Sequence, residues 1–219
     1  MNESSWESDL KITWQGSLGR FHTAPTIEQS RSVRFVWAAD LAGQGWGRNP
    51  NLTITAPATW KVIATHDPLS IVTGSSGDYD AGAQDDQRIL GREAQLQDLL
   101  SFIKSEGIDN VVFITADVHF PAAIFYHPRE AVFKDFNPFW EFVIGPIHAG
   151  AFAPPGNLPL DPSFGPSYEF KLFPAEPNLP PPHQQFFGSM EVDGQTAQLT
   201  VKIHQITGDI VYEKIIKPK

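Results

Sequence analysis

The pattern of apolar and polar positions predicts a chain built mostly from β-strands. Short runs rich in β-branched and aromatic residues are typical of strands, because such side chains pack well on a pleated sheet. The predicted strands are 33–37, 60–64, the run from 111 that leads into Asp117, 140–144, 186–192, 198–205 and 210–216. The last three are expected to be antiparallel, since apolar residues alternate along 199–203 and residues 207–209 form a tight turn.

One helix is predicted over 87–106. Four apolar residues recur there at helical spacing: Ile89, Leu96, Leu100 and Ile103. Asp85 or Asp86 can cap its start, and Gly107 is expected to end it. A helix followed by a short loop and an apolar strand indicates an α/β fold. In contrast, 154–182 holds ten of the 19 prolines, so no regular element is predicted there.

Composition excludes several classes of function. The formal net charge of −9 argues against a nucleic-acid backbone as partner. The absence of cysteine excludes disulfides, thiolate metal sites and a cysteine nucleophile. The chain contains no Gly-x-Ser-x-Gly motif, so the sequence does not support a serine hydrolase. No run approaches the roughly 18 apolar residues of a membrane span.

Candidate metal ligands stand where three of the predicted strands end. Asp40 follows the first strand, His66 the second, and Asp117 with His119 the strand that begins at 111. Sites in α/β sheets gather at the carboxyl ends of strands. Asp117 and His119 are expected on one face, because strand side chains alternate with period 2. A carboxylate beside an imidazole suits catalytic divalent or trivalent metals.

Such a site predicts hydrolysis. A bound metal lowers the pKa of water from about 15.7 toward about 7, and a neutral histidine such as His66 could protonate the leaving alkoxide. The alternative for His66 is that it satisfies a turn with Asp67 and Pro68. Glu141 lies inside an aromatic strand, and a buried carboxylate needs a partner. A metal or an arginine could fill that role.

Four segments carry a family resemblance: VRFVWAADLAGQGWG at 33–47, WKVIATHDPLS at 60–70, ITADVHF at 114–120 and WEFVIGPIHAG at 140–150. In combination they resemble the alkaline phosphatase D (PhoD-like) metallophosphatases, over about residues 20–217. The resemblance implies a calcineurin-like fold, an α/β two-sheet β-sandwich flanked by helices. It also implies phosphomonoesterase or phosphodiesterase activity, with a phosphate ester as substrate.

The resemblance further implies a site that holds Fe(3+) and Ca(2+). By position, Asp40 stands where many members carry a cysteine that binds iron. Asp117 and His119 match the late Asp-x-His iron ligands of the family. Glu141 lies near an expected calcium-binding acid, whereas Ala123 occupies a position where an asparagine calcium ligand is expected.

Two departures from the family pattern shape the expected organisation. The family motifs Gly-Asp-x-x-Tyr-x-Asp and Trp-Asp-Asp-His are missing, so an internal deletion near 51–59 is predicted. The bridging aspartate would lie in the missing part. Residues 1–30 are interpreted as the remnant of an N-terminal β-domain, and 31–219 as the truncated metallophosphatase domain. Sheet edges left unpaired by the deletion would favour an oligomer or a partner.

Localisation stays open at this level. The family is usually exported to the periplasm or the exterior, but residues 1–9 lack the basic and apolar regions of a secretory signal. Three hypotheses follow for function: a PhoD-like phosphatase with impaired activity, a non-catalytic metal-binding remnant or β-rich scaffold, and an unrelated α/β domain in which Asp117 and His119 cap a strand.

Overall fold

Two β-sheets and one α-helix make up the part of the chain that the structure describes. This computed structural model describes residues 32–37, 58–73, 92–151, 158–174 and 184–219. In chain order the elements are β1 (Val33–Trp37), β2 (Lys61–Ala64), α1 (Arg92–Ser105), β3 (Val111–Thr115), β4 (Ala122–Tyr126), β5 (Phe139–Val143), a 3₁₀ helix (Pro162–Phe164), β6 (Pro166–Lys171), β7 (Phe186–Val192), β8 (Leu199–Gln205) and β9 (Ile210–Ile216). The predicted remnant at 1–30, most of the predicted deletion near 51–59 and the proposed helix cap at Asp85 or Asp86 lie outside the described residues and stay predictions.

The larger sheet is mixed and has the strand order β2-β3-β5-β4-β6. Strands β2, β3 and β5 run parallel, whereas β4 runs antiparallel to β5 and β6. The three parallel strands therefore end at one edge of the sheet, which is where α/β proteins place their sites. The smaller sheet is wholly antiparallel, with the order β1-β7-β8-β9.

The two sheets pack face to face. Val112 and Phe142 of the larger sheet share a buried apolar cluster with Met190, Leu199 and Val201 of the smaller one. Alternation along β3 and β5 sends the next residues to the opposite face, where a second cluster forms beneath α1. The predicted α/β fold with a two-sheet β-sandwich is thus confirmed, and of the predicted flanking helices the described residues show one, α1, on the outer face.

The predicted helix is confirmed over its described part, Arg92–Ser105. Its buried residues Leu100 and Ile103 pack into the cluster around Phe113. Gly107 adopts a left-handed conformation with φ +63°, as expected for the residue that ends a helix. Among the described residues, no helix is long and apolar enough to cross a membrane.

Two strands differ from the sequence predictions. β4 was not expected, because its sequence Ala-Ala-Ile-Phe-Tyr shows no polar alternation; four of its five residues are buried in the sandwich. The expectation that 154–182 holds no regular element is wrong, since β6 lies within it. Pro166 is the first residue of β6, an edge strand, where the lack of an N–H group is tolerated.

Candidate metal centre

The carboxyl ends of β2 and β3 bring two of the predicted site residues together. Backbone pairing continues one step past both strands: the Thr65 N–H donates to the Ile114 carbonyl at 3.1 Å, and the Ala116 N–H donates to the His66 carbonyl at 3.1 Å. This pairing fixes His66 beside the residue that precedes Asp117. The two side chains therefore meet because the strands are parallel and in register.

Three side chains form a group that could hold a metal ion. His66 Nδ1 lies 2.9 Å from Asp67 Oδ1 and 3.9 Å from Asp117 Oδ1. One ligand atom from each residue lies within 4.8 Å of the other two. Atoms that each stand about 2.0–2.6 Å from one ion have this spread. The His66 side chain is 72% exposed and the two carboxylates about one-third exposed, so a small solute can reach all three.

Asp117 reaches the group through a tight turn and not through the strand. β3 ends at Thr115, and the Val118 N–H donates to the Ala116 carbonyl at 2.9 Å across Asp117, whose φ is +71°. This is a three-residue γ-type turn, which is rare and strained for a residue other than glycine. His119 also has a positive φ, +56°. The expectation that alternation along a strand places both side chains on one face is therefore wrong.

His119 is oriented by a backbone carbonyl. Its Nδ1 lies 2.7 Å from the Gly150 carbonyl oxygen. A carbonyl can only accept, so Nδ1 carries the proton, and the neutral ring has its lone pair on Nε2. Histidines that bind metals are commonly held in this way through the second nitrogen. His119 is not part of the three-residue group, and its predicted role as a ligand stays a prediction.

Glu141 is fully buried and has three hydrogen-bond donors. Its Oε1 accepts from the Leu69 N–H at 2.9 Å and from the Thr115 hydroxyl at 2.7 Å, and its Oε2 accepts from the Tyr126 hydroxyl. Burial raises the pKa of Glu141, and the three donors partly oppose the rise. Burial, and then the charge of Glu141, raises the pKa of Tyr126 well above its usual value. The predicted metal-ligand role of Glu141 is not tested by these contacts.

Asp67 is the member of the group that sequence reasoning missed. In the sequence Asp67 enters only through the alternative that His66 satisfies a turn with Asp67 and Pro68, although its place next to His66 at a strand end was an available signal. Asp40, the fourth predicted ligand, lies outside the described residues. One imidazole and two carboxylates fit a transition metal such as iron. Calcium takes six to eight oxygens, of which this group supplies only a part.

A cleft of about 370 Å³ opens beside the group. Its polar lining comprises Thr65, His66, Asp67, Glu93 and Gln95, and its apolar lining includes Leu96, Leu99 and Phe113. A cleft with apolar walls and a few polar groups is the usual form of a small-molecule site. Its position next to the candidate ligands allows an organic group to lie within reach of a bound ion.

Comparison with known proteins identifies the family. A family model described as PhoD-like phosphatase matches residues 51–203, which is more than half of the chain. The chain belongs to the PhoD-like phosphatase family. The match includes β2, β3 and the loops that carry His66, Asp67, Asp117 and His119. The hypothesis of an unrelated α/β domain is therefore wrong.

One solved structure, described as the structure of PhoD, is similar to this PhoD-like chain. The two share 19% sequence identity with a TM-score of 0.42, and the similarity covers 74% of this chain and 29% of that one. No curated protein matches the chain. The chain thus spans less than a third of the length of the PhoD structure that it resembles.

Proposed function

We propose that this chain is a metal-dependent phosphoric ester hydrolase of the alkaline phosphatase D type, acting on phosphomonoesters or phosphodiesters. The observation that carries the proposal is the group His66, Asp67 and Asp117 at the carboxyl ends of two parallel strands. In a phosphatase family, an imidazole and two carboxylates at such an edge supply the donors that a hydrolytic metal requires.

The residues divide into ligands and a candidate acid. Asp67 and Asp117 would bind the ion, and His119 would add its Nε2, since Nδ1 is held by Gly150. A bound ion would neutralise phosphoryl charge and supply hydroxide at neutral pH. His66 is the most exposed of the group and serves either as a further ligand or as the proton donor to the leaving alkoxide. Asp40 would complete the ligand set.

Iron is the proposed ion, because the family resemblance implies it and the mixed nitrogen and oxygen donors fit a transition metal. Calcium, which the family resemblance also implies, would need oxygens from residues beyond those of the group. The proposed substrate places its phosphate at the ion and its alcohol portion in the adjacent cleft. The apolar surface of Leu96, Leu99 and Phe113 favours an aromatic or aliphatic alcohol, and the carboxyl group of Glu93 in the same lining disfavours an anionic one.

The test measures metal content and hydrolysis on the same samples. The purified chain is loaded with iron or with calcium, and p-nitrophenyl phosphate and bis(p-nitrophenyl) phosphate are assayed for wild type, Asp117→Asn and His66→Ala. Asp135→Asn is the matched control, since Asp135 is an exposed aspartate that pairs with Lys104 away from the group. We expect Asp117→Asn to lower metal affinity and turnover by at least about 100-fold, the upper range for loss of a ligand's supporting contact.

The outcomes separate the remaining hypotheses. His66→Ala that keeps its metal but loses turnover identifies His66 as the acid, whereas loss of metal identifies it as a ligand. Stoichiometric metal without turnover on either ester favours the non-catalytic metal-binding module. Activity that survives both chelation and Asp117→Asn would overturn the proposal.

A further inference from the structure

We infer that Glu141 is a positioning residue, whose carboxylate holds the two ligand-bearing loops of the candidate centre in register. Only the expected effect on metal affinity rests on the proposed function, because the hydrogen bonds of Glu141 are present in the structure whether or not a metal binds. A single oxygen, Glu141 Oε1, accepts hydrogen bonds from the Leu69 N–H in the loop after β2 and from the hydroxyl of Thr115, the last residue of β3 before the loop of Asp117. No metal is required for this role.

The two donors stand close to the ligands along the chain. Leu69, whose N–H donates at 2.9 Å, follows Asp67 by two residues. Thr115, whose hydroxyl donates at 2.7 Å, precedes Asp117 by two residues. Because both donors bind one atom, the distance between the loops is restricted from within the sheet. The backbone hydrogen bonds of Thr65 and Ala116 restrict the same two segments.

The surroundings of Glu141 explain why a carboxylate at this position is unusual. Its cross-strand neighbours are Phe113 on β3 and Ile124 on β4, and both are fully buried in the apolar cluster. Burying an acid among such residues is unfavourable unless its oxygens are occupied. Tyr126 occupies Oε2, which leaves Oε1 for the loops. One carboxylate oxygen of Glu141 therefore accepts from the core residue Tyr126, and the other accepts from the two segments that lead into the site.

Loss of this acceptor would release the segment after Asp67. The Leu69 N–H is buried, and a buried donor without an acceptor is unfavourable, so the loop would shift to find another partner. A shift of the loop moves Asp67 relative to Asp117. Metal affinity depends on ligand positions within a few tenths of an ångström, so the centre would weaken although no ligand has been changed.

Two substitutions of Glu141 separate a positioning role from a ligand role. Glu141→Gln keeps Oε1 as acceptor for Leu69 and Thr115, and its amide can donate to the Tyr126 oxygen. Glu141→Leu removes both acceptors at similar size. The readouts are amide hydrogen exchange at Leu69, and the affinity and visible absorption spectrum of cobalt(II), which reports the geometry of the bound ion.

We expect Glu141→Gln to bind cobalt(II) with nearly wild-type affinity and an unchanged spectrum. Glu141→Leu should bind about 10- to 100-fold more weakly, with a changed spectrum and faster exchange at Leu69. If the leucine variant does not fold, Thr115→Val replaces it. That variant removes only the Thr115 hydroxyl, two residues before Asp117. It should weaken cobalt(II) binding while the Leu69 amide stays protected from hydrogen exchange.

Three results would overturn the inference. Equal loss of cobalt(II) in the glutamine and leucine variants would make Glu141 a ligand. Unchanged exchange at Leu69 in the leucine variant would remove the anchoring role, as would unchanged cobalt(II) affinity in Thr115→Val. Failure of the wild-type chain to bind any metal contradicts the proposed function instead, and the exchange at Leu69 still decides whether Glu141 anchors the loop.

Discussion

His66 Nδ1 lies 3.9 Å from Asp117 Oδ1, although the two residues follow different strands. The contact depends on the parallel pairing of β2 with β3, in which Ala64 stands opposite Ile114. A shift of that pairing by one residue would move one loop by about 3.3 Å along the sheet and separate the ligands. The candidate centre is therefore a property of the strand register as much as of the residues.

Replacing Asp117 by glycine should relieve the strain of its turn. At φ +71° a residue with a Cβ atom is disfavoured, whereas glycine is not. We expect metal-free Asp117→Gly to be more stable than Asp117→Ala by about 1 kcal/mol. Both variants lose the carboxylate and its contact with His66, so the comparison isolates the backbone. Urea unfolding of the two metal-free variants measures the difference, and equal stabilities would show that the turn is not strained.

The stability contributed by Glu141 should fall as the pH rises. Burial raises the pKa of this carboxyl above its ordinary value of 4.5, so the folded chain binds the proton more tightly than the unfolded chain does. The free energy of unfolding therefore decreases as the pH rises from about 4.5 to the raised pKa. Above that pKa the loss stays constant, at about 1.4 kcal/mol for each unit by which folding raises the pKa.

Glu141→Gln removes this titration. We expect the free energy of unfolding of the glutamine variant, minus that of wild type, to increase from pH 4 to pH 8. Taking the difference cancels the other acids, which titrate equally in both proteins. A difference that stays flat over this range, or that falls, would contradict the raised pKa.

The tautomer of His119 leads to a matched pair of substitutions. The amide nitrogen of an asparagine stands near the place of the imidazole Nδ1, so His119→Asn can still donate to the Gly150 carbonyl. Asparagine also tolerates the positive φ of this residue. His119→Ala can do neither. We expect the asparagine variant to be more stable than the alanine variant by about 1 kcal/mol, the usual net value of a hydrogen bond.

Metal affinity should separate the two functions of His119. If Nε2 is a ligand, both variants lose iron affinity to the same extent although their stabilities differ. Calorimetry of iron binding, together with thermal unfolding of the metal-free proteins, measures the two quantities. Full affinity in the asparagine variant would show that His119 only supports the loop.

Gly165 should be far less tolerant of alanine than Gly107 is. Both glycines have a positive φ near 60°. A Cβ at Gly165 would lie 2.5 Å from the His127 carbonyl oxygen and 2.7 Å from the Ala131 nitrogen, whereas a Cβ at Gly107 meets nothing within 4 Å. We expect Gly107→Ala to lower the free energy of unfolding by about 1 kcal/mol and Gly165→Ala by at least about 3 kcal/mol. Similar losses in the two variants would contradict the close packing at Gly165.

The strands and the helix could largely be predicted because their signals are local. Apolar alternation along 199–205 and the apolar positions of α1 follow from the periods of strand and helix. The strand-end positions of His66 and Asp117 could be predicted for the same reason. β4 and β6 could not, since one is apolar without alternation and the other begins at a proline that only an edge strand accommodates.

The sequence by itself determined most of the strands, the helix, the family and the place of two site residues at strand ends. Only the tertiary structure decided that Asp67 joins them, that Asp117 enters through a γ-type turn, and that Glu141 accepts from both Leu69 and Thr115. The physical reason is that these facts depend on strand register and on contacts between residues far apart in the chain. Local periodicity carries no information about which backbone N–H or side chain a buried carboxylate will meet.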